Sequence, residues 1–302
     1  GNLGAALAER LDPEARSRLK VCEIGTMVFL EASLPGVFRA LFTTRIGGES
    51  KGVFSSLNLD PRSEDEPAAV SHNRSRVGAV VGSAGTDDNY SAGPRLVSPA
   101  QVHGLRVAGA AEYVRHDEGG PCDGLTLHPL LDRGLAALLL FADCVPVVLA
   151  GEVDVAVAHA GWRGILGGIV QQAGLAMTGA PGMAVIGPSI GPCCFTVGEE
   201  LAAAFSARFG PQVVVTEGPP GRGLTFGSRG EGRRVRAAGP RLDLWAAITK
   251  ALEELGIAGD RVVNPRLCTA CNVDLFYSYR VEGPVTGRHG CVAWASSTST
   301  AS

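Results

Sequence analysis

Three residues have types and settings suited to metal or nucleophilic chemistry. They are His103 in Pro99-Ala-Gln-Val-His-Gly104, Cys144 in Phe141-Ala-Asp-Cys-Val-Pro146, and His159 in Val157-Ala-His-Ala-Gly-Trp-Arg-Gly164. Each follows an apolar, β-favouring run. A thiol and an imidazole at the exits of two sequential strands can meet in one pocket. Two histidines and a cysteine are the donor set of an open zinc site, in which water or substrate takes the fourth position. Singly, each could be a buried thiol or a satisfied core histidine. Their comparable strand-exit positions favour a shared site.

Neighbouring residues extend that site. Gly161-Trp-Arg-Gly164 runs from strand into helix, where exposed N–H groups and Arg163 suit an anion; a tight turn plugged by Trp162 is the plainer alternative. Asp143 suits a partner of a metal ligand or a general base, and equally a turn cap. Asp123, in Cys122-Asp-Gly124, is open to the same two readings. Arg45 and Asn58, in polar loops, suit substrate contacts. Cys268-Thr-Ala-Cys271 has metal or redox spacing, but a zinc knuckle needs a second matching pair, and adjacent Cys193 and Cys194 make a poor chelate. Buried structural thiols are therefore expected there.

The elements that must position these groups are readable in outline. Strands are expected at 27–30, 37–42, 95–102, 107–114, 135–141, 153–158, 183–186 and 213–215. Helices are expected at 67–81, 164–177, 198–209 and 242–255; in the last, Leu244, Ile248, Leu252 and Leu255 share a face. The first twenty residues look weakly helical. Residues 217–240, rich in glycine and arginine, read as a loop or lid. Residues 1–30 are expected to form an N-terminal extension, 31–296 a single catalytic domain, and 297–302 a frayed tail. Strands and helices mix without strict βαβ alternation, which implies an α+β fold of mixed sheets with helices outside.

Composition excludes several function classes. The chain has 302 residues, 45% hydrophobic and 19% charged, with ample core for a globular protein. A net charge of −3 gives no basic excess for nucleic acid or an anionic membrane. The most apolar stretch, 135–149, is broken by Asp143 and Pro146 and is too short to span a bilayer. No signal peptide is visible, so a cytoplasmic location is the default expectation, with the eight cysteines mostly reduced. A monomer acting on a small molecule is the simplest assembly.

Eight motifs in order then carry a family resemblance: Thr44-Arg-Ile-Gly-Gly48, Ser56-Leu-Asn-Leu59, Gln101-Val-His-Gly104, Ala142-Asp-Cys-Val-Pro146, His159-Ala-Gly-Trp-Arg-Gly164, Ile186-Gly-Pro-Ser-Ile-Gly-Pro192, Phe276-Tyr-Ser-Tyr-Arg280 and Thr286-Gly-Arg288. Together they resemble the laccase-domain family, variously called multicopper polyphenol oxidoreductase, peptidoglycan-editing factor and purine nucleoside phosphorylase of the laccase-domain type. The resemblance implies a single domain of mixed sheets flanked by helices, akin to the cysteine hydrolase fold of cytotoxic necrotizing factor. It implies a metal on His103, Cys144 and His159, zinc by most accounts and copper by others. It implies phosphorolysis of adenosine, inosine, guanosine and methylthioadenosine, and adenosine deamination. It also adds Arg280 to the expected substrate contacts, with Arg45, Asn58 and Asp123.

The alternatives make different demands. Multicopper oxidation of phenols needs a histidine-rich cluster, and this chain has six histidines and no His-x-His pair. A single metal with an open position suits a Lewis-acid role. A cysteine amidase acting on peptidoglycan precursors would use the same residues, with Cys144 as nucleophile and a histidine as base.

Overall fold

The computed structural model describes residues 3–83, 93–116, 120–216 and 239–296. Two sheets of six strands stack face to face, with helices on their outer sides. The first sheet runs in the order β1 (Leu19–Ile24), β2 (Met27–Ser33), β3 (Phe38–Thr43), β14 (His289–Ala295), β7 (Leu135–Phe141) and β4 (Arg95–Val97). The second runs β13 (Val262–Val263), β10 (Met183–Ile186), β8 (Val145–Ala150), β9 (Val155–Ala160), β6 (Gly124–Leu127) and β5 (Val107–Gly109). Both are mixed: β4–β7, β5–β6 and β10–β13 pair in parallel, the remaining neighbours antiparallel. A short ribbon pairs β11 (Val214–Val215) with β12 (Arg241–Leu242).

Strand periodicity explains the layering. In β7, Ala137, Leu139 and Phe141 enter the core between the sheets, while Ala136, Leu138 and Leu140 face outward to a second core. In β9, Val155 and Val157 point to the same inner core, and Ala156, Ala158 and Ala160 point to the opposite face. Side chains alternate across a strand, so a strand buried on both faces is apolar throughout. The outer faces are covered by helices. Val77, Val80 and Val81 of α2 (Pro67–Ser83) pack on the first sheet. On the second sheet lie α4 (Trp162–Gly167), α5 (Ile169–Ala176), α6 (Glu199–Phe209) and α7 (Leu244–Glu254), through Ile165, Ile169, Phe205, Ile248 and Leu252. The remaining helices are short: α1 (Leu3–Arg10), α3 (Ala110–His116) and α8 (Tyr279–Glu282).

Several elements differ from expectation. The run 107–114 is not one strand: it turns from β5 into α3, whose first turn is capped as Ala111 N–H donates to Asp132 at 2.6 Å. The helix expected over 164–177 is two helices broken at Gly168, where φ is +93°. The strand at 95–102 ends at Val97. Several strands lie outside the expected runs, β1, β6 and β8 among them. β1 is a half-exposed hairpin partner of β2, and β8 carries Pro146 as its second residue, a residue that argues against a central strand. The boundary expected at residue 31 falls inside β2, and Leu7, Leu11, Ala15 and Leu19 belong to the inter-sheet core. The expected loop at 217–240 lies outside the described residues except for its last two, and the tail at 297–302 lies outside them entirely. Among the described residues, no helix is long and apolar enough to cross a membrane.

Candidate active site

Cys144 and His159 meet at one end of the β8–β9 pair in the second sheet, where Val145 and Pro146 lie opposite Ala160 and His159. β7, which Cys144 follows, belongs to the first sheet and β9 to the second, with β8 between them in sequence; β8, which Cys144 precedes, pairs antiparallel with β9. Cys144 sits where the chain leaves β7 and enters β8, crossing from one sheet to the other. His159 lies in β9, one residue before its end and opposite Pro146 of β8. His103 arrives from the loop before β5.

Asp123 fixes two of these groups. Its carboxylate accepts backbone N–H bonds from Val102 (3.1 Å), His103 (2.9 Å) and Gly104 (2.7 Å). That cradle holds His103 at φ +60°, a left-handed conformation rare outside glycine. The same carboxylate lies 2.8 Å from His159 Nδ1, and Asp123 C=O accepts from His159 N–H at 2.7 Å. With Nδ1 committed to Asp123, Nε2 of His159 is the nitrogen left for a ligand. Asp-Gly is therefore not a turn here: Gly124 begins β6.

His103 Nε2 is 3.7 Å from Cys144 Sγ, and the donor atoms of His103, Cys144 and His159 all lie within 4.8 Å of one another. The two imidazoles meet edge to face at 4.8 Å. Gly161 makes the approach possible, since a Cβ there would stand 2.8 Å from His103 Cδ2 and 3.1 Å from Cys144 Sγ. His159 is buried, Cys144 half-buried and His103 exposed, so the group opens to one side. These residues fit a metal: two imidazoles and a thiol converge, and a carboxylate stands behind one imidazole in the way that orients metal-binding histidines.

The pair is also electrostatically matched. Burial alone would push the Cys144 thiol up, but the His159 charge and hydrogen bonds from both histidines bring it down to about 6. Burial would lower His159, but the Cys144 charge and the Asp123 hydrogen bond lift it to about 9. A thiolate beside an imidazolium is the state these values describe.

A cavity of about 660 Å³ opens over the three residues. That lies within the roughly 300–1,000 Å³ of small-ligand sites. Its wall carries Arg62, Arg163, Arg280 and Arg288 with Asp60, Gln101, Trp162, Phe195 and Tyr279. Arg163 is exposed, its guanidinium 4.2 Å over the Trp162 ring. Because α4 has only six residues, positive charge for an anion comes from the arginines rather than from a helix dipole.

Asp143 and Arg280 are brought to the same wall. The Asp143 carboxylate accepts from Thr269 Oγ1 (2.6 Å) and from Arg280 N–H (2.7 Å), holding the residue at φ +86° beside Cys144. Burial keeps this carboxyl above its ordinary range despite those bonds. Arg45 and Asn58 are not brought to the cavity. Arg45 donates to Ser55 C=O, Val273 C=O and Glu282, and covers the Tyr277 ring. Asn58 Oδ1 accepts from the Asp60 and Arg288 backbone N–H groups, one step behind the wall it supports. Arg62, Arg288 and Gly161 were missed as site residues, although Gly161 and Arg288 lie inside recognised motifs; Arg62 sits in an acidic loop with no distinguishing pattern.

The description "multi-copper polyphenol oxidoreductase laccase" matches residues 39–296 as one family model. The chain belongs to that family. Relatives of this laccase-family chain include Purine nucleoside phosphorylase YlmD of Geobacillus stearothermophilus, 32% identical over 82% of this chain and 86% of that one. Another is a purine nucleoside phosphorylase of Deinococcus radiodurans, 35% identical over 82% and 85%. Among solved structures, Neisseria meningitidis protein NMB0706 superposes with a TM-score of 0.70 at 31% identity, covering 89% of this chain and 99% of that one.

The family's copper-oxidase description sits poorly with the donors. Only two of the six histidines reach the cavity. His289 is buried against the Phe276 and Tyr277 rings, where burial and the charges of Arg288 and Arg45 hold it down at about 3. His72 pairs with Glu49, and His128 Nδ1 accepts from Leu130 N–H. Among the described residues, the histidine-rich cluster that multicopper oxygen reduction requires is not assembled.

Proposed function

We propose that this protein is a zinc-dependent purine nucleoside phosphorylase, with adenosine deamination as a second activity of the same cavity. The observation that carries this is the convergence of His103, Cys144 and His159 beneath a wall bearing four arginines. The purine nucleoside phosphorylase names of two relatives support the substrate class. Adenosine, inosine, guanosine and methylthioadenosine are the substrates we assign.

His103, Cys144 and His159 would hold the ion. Zinc bound there supplies Lewis acidity and an acidified water. The chain's own residues do the rest. Asp123 keeps both histidines aimed. Arg163, reaching from the rim, and Arg280 offer charge-assisted bonds to phosphate. Trp162, Phe195 and Tyr279 offer flat apolar surface for a purine. In phosphorolysis a phosphate oxygen bonds to C1′ of the ribose and the C–N glycosidic bond breaks. The base leaves with the electron pair and takes a proton, giving free purine and a sugar 1-phosphate. In deamination water replaces the amino group and ammonia leaves. Asp143, with both oxygens bonded to the scaffold, is a positioning residue for the Cys144 turn rather than the proton source.

The test is adenosine turnover with and without phosphate. Adenine release that requires phosphate, with equimolar ribose 1-phosphate, supports the assignment; release by water alone overturns it.

One observation favours a second reading. A lowered Cys144, a raised His159 and Asp123 behind it are the parts of a cysteine hydrolase. Amide cleavage would then pass through an acyl-thioester on Cys144. Trapping that acyl-enzyme in zinc-free protein supports the hydrolase, whereas stoichiometric zinc on the triad removes its nucleophile.

A further inference from the structure

We propose that Cys193, Cys194, Cys268 and Cys271 form a second metal site, binding one zinc ion as a tetrathiolate behind the wall of the active cavity. The inference stands on sulfur geometry and is independent of the reaction assigned above.

The four sulfurs lie within 4.8 Å of one another, although the two pairs are 77–78 residues apart at their closest contacts. Cys194 and Cys193 stand 3.4 and 3.6 Å from Cys271, sulfur to sulfur. Zinc–sulfur bonds of about 2.3 Å in a tetrahedron place sulfurs about 3.8 Å apart. A disulfide needs about 2.05 Å. The spacing is thus close to a tetrahedral edge and far from a covalent bond, and no disulfide joins any of the four.

The backbone is arranged to serve these sulfurs. Cys268 and Cys271 bracket a single 3-10 turn, which sets both thiols of the Cys-x-x-Cys pair on one side. The objection that adjacent cysteines chelate poorly is met by the turn at 192–194, closed by Cys194 N–H on Gly191 C=O at 3.0 Å. That turn sends both Cys193 and Cys194 toward Cys271. Gly191 N–H donates to Cys268 Sγ at 3.2 Å, the kind of amide bond that steadies a metal thiolate. A Cβ on Gly191 would stand 2.7 Å from Trp245 Cη2, so only glycine permits this approach. Cys268 is buried and the other three half-buried, which leaves a route for the ion. The Arg280 guanidinium donates to Cys194 C=O (3.4 Å) and Thr196 C=O (3.0 Å), which ties this turn to the cavity wall.

The position gives the site a consequence. Thr269, between Cys268 and Cys271, donates to Asp143, which also holds Arg280 N–H and precedes Cys144. A metal that ties 193–194 to 268–271 would therefore brace the wall that aims Cys144 and Arg280.

The test uses full-length protein stripped of metal and reloaded with cobalt(II) or zinc. Wild type and Cys144→Ala should both show the intense sulfur-to-cobalt charge transfer of four thiolates. A Cys268→Ser/Cys271→Ser double variant should lose that signature and one equivalent of zinc. Should the double variant fail to fold, alkylation of wild type mapped by mass spectrometry decides the matter. One added zinc equivalent beyond the triad should slow labelling of all four cysteines at least tenfold, and chelator should restore it. Equal labelling with and without zinc, an unchanged zinc count in the double variant, or disulfides among the four under reducing purification would overturn the site.

Discussion

Asp123 and His159 form a buried carboxylate–imidazole pair at 2.8 Å, and the same carboxylate caps the three N–H groups that shape the His103 turn. One side chain thus aims two of the three donors. Asp123→Asn keeps the size but presents an amide N–H₂ where an acceptor is required. Zinc affinity at the triad should fall about 10–100-fold, the usual effect of losing such an orienting partner. Competition against a chromophoric chelator measures it; an unchanged affinity would show that the histidines orient themselves.

Gly161→Ala should separate His103 from Cys144, because the added methyl meets both at or below contact distance. A displacement of about 1 Å at reacting groups can cost about 100-fold. Phosphorolysis kcat should fall by that order while circular dichroism stays native. Full activity would mean that His103 tolerates movement.

In metal-free protein, the Cys144 alkylation rate should rise with pH through a midpoint of about 6 and level off above it. The sign follows from the lowered thiol: the reactive thiolate is lost only as pH falls below that midpoint. Replacing His159 by Gln should move the midpoint up toward the ordinary thiol value of about 8.5, since the imidazolium charge and hydrogen bond are gone. Rates of iodoacetamide labelling at Cys144 check both.

Arg163→Ala should raise KM for phosphate about tenfold and leave KM for the nucleoside nearly unchanged. A hydrogen bond to a charged group contributes roughly 1.5–3 kcal/mol, and the exposure of Arg163 places it at the low end. Equal changes in both constants would place Arg163 outside the phosphate site.

Much of this site was legible because its chemistry is concentrated in short, distinctive strings. His103, Cys144 and His159 each follow an apolar run, and a run that ends in a ligand is a local signal. Asp123 was visible only as an ambiguous Asp-Gly, since its role depends on a contact with a residue 36 positions away. The path that joins Cys144 to His159 was not legible. Pro146 masked β8, and a strand buried on both faces carries no alternation to mark which sheet it joins. Arg45 and Asn58 show the limit from the other side: polar residues in such loops suit ligand contact and scaffold bonding equally, and here their donors and acceptors are taken by backbone groups and by the side chains of Glu282, Ser63 and Asp65. The adjacent Cys193 and Cys194 read as poor ligands until the fold set them against Cys271.

The central claim is that a metal held by His103, Cys144 and His159 supports phosphorolysis. The most direct measurement compares wild type and Cys144→Ala, purified without chelators, for zinc content and for phosphate-dependent adenine release from adenosine on the same samples. The account predicts that Cys144→Ala contains one zinc fewer per chain and has lost turnover. Phosphorolysis that persists in Cys144→Ala, or in wild type whose triad holds no zinc, would contradict it.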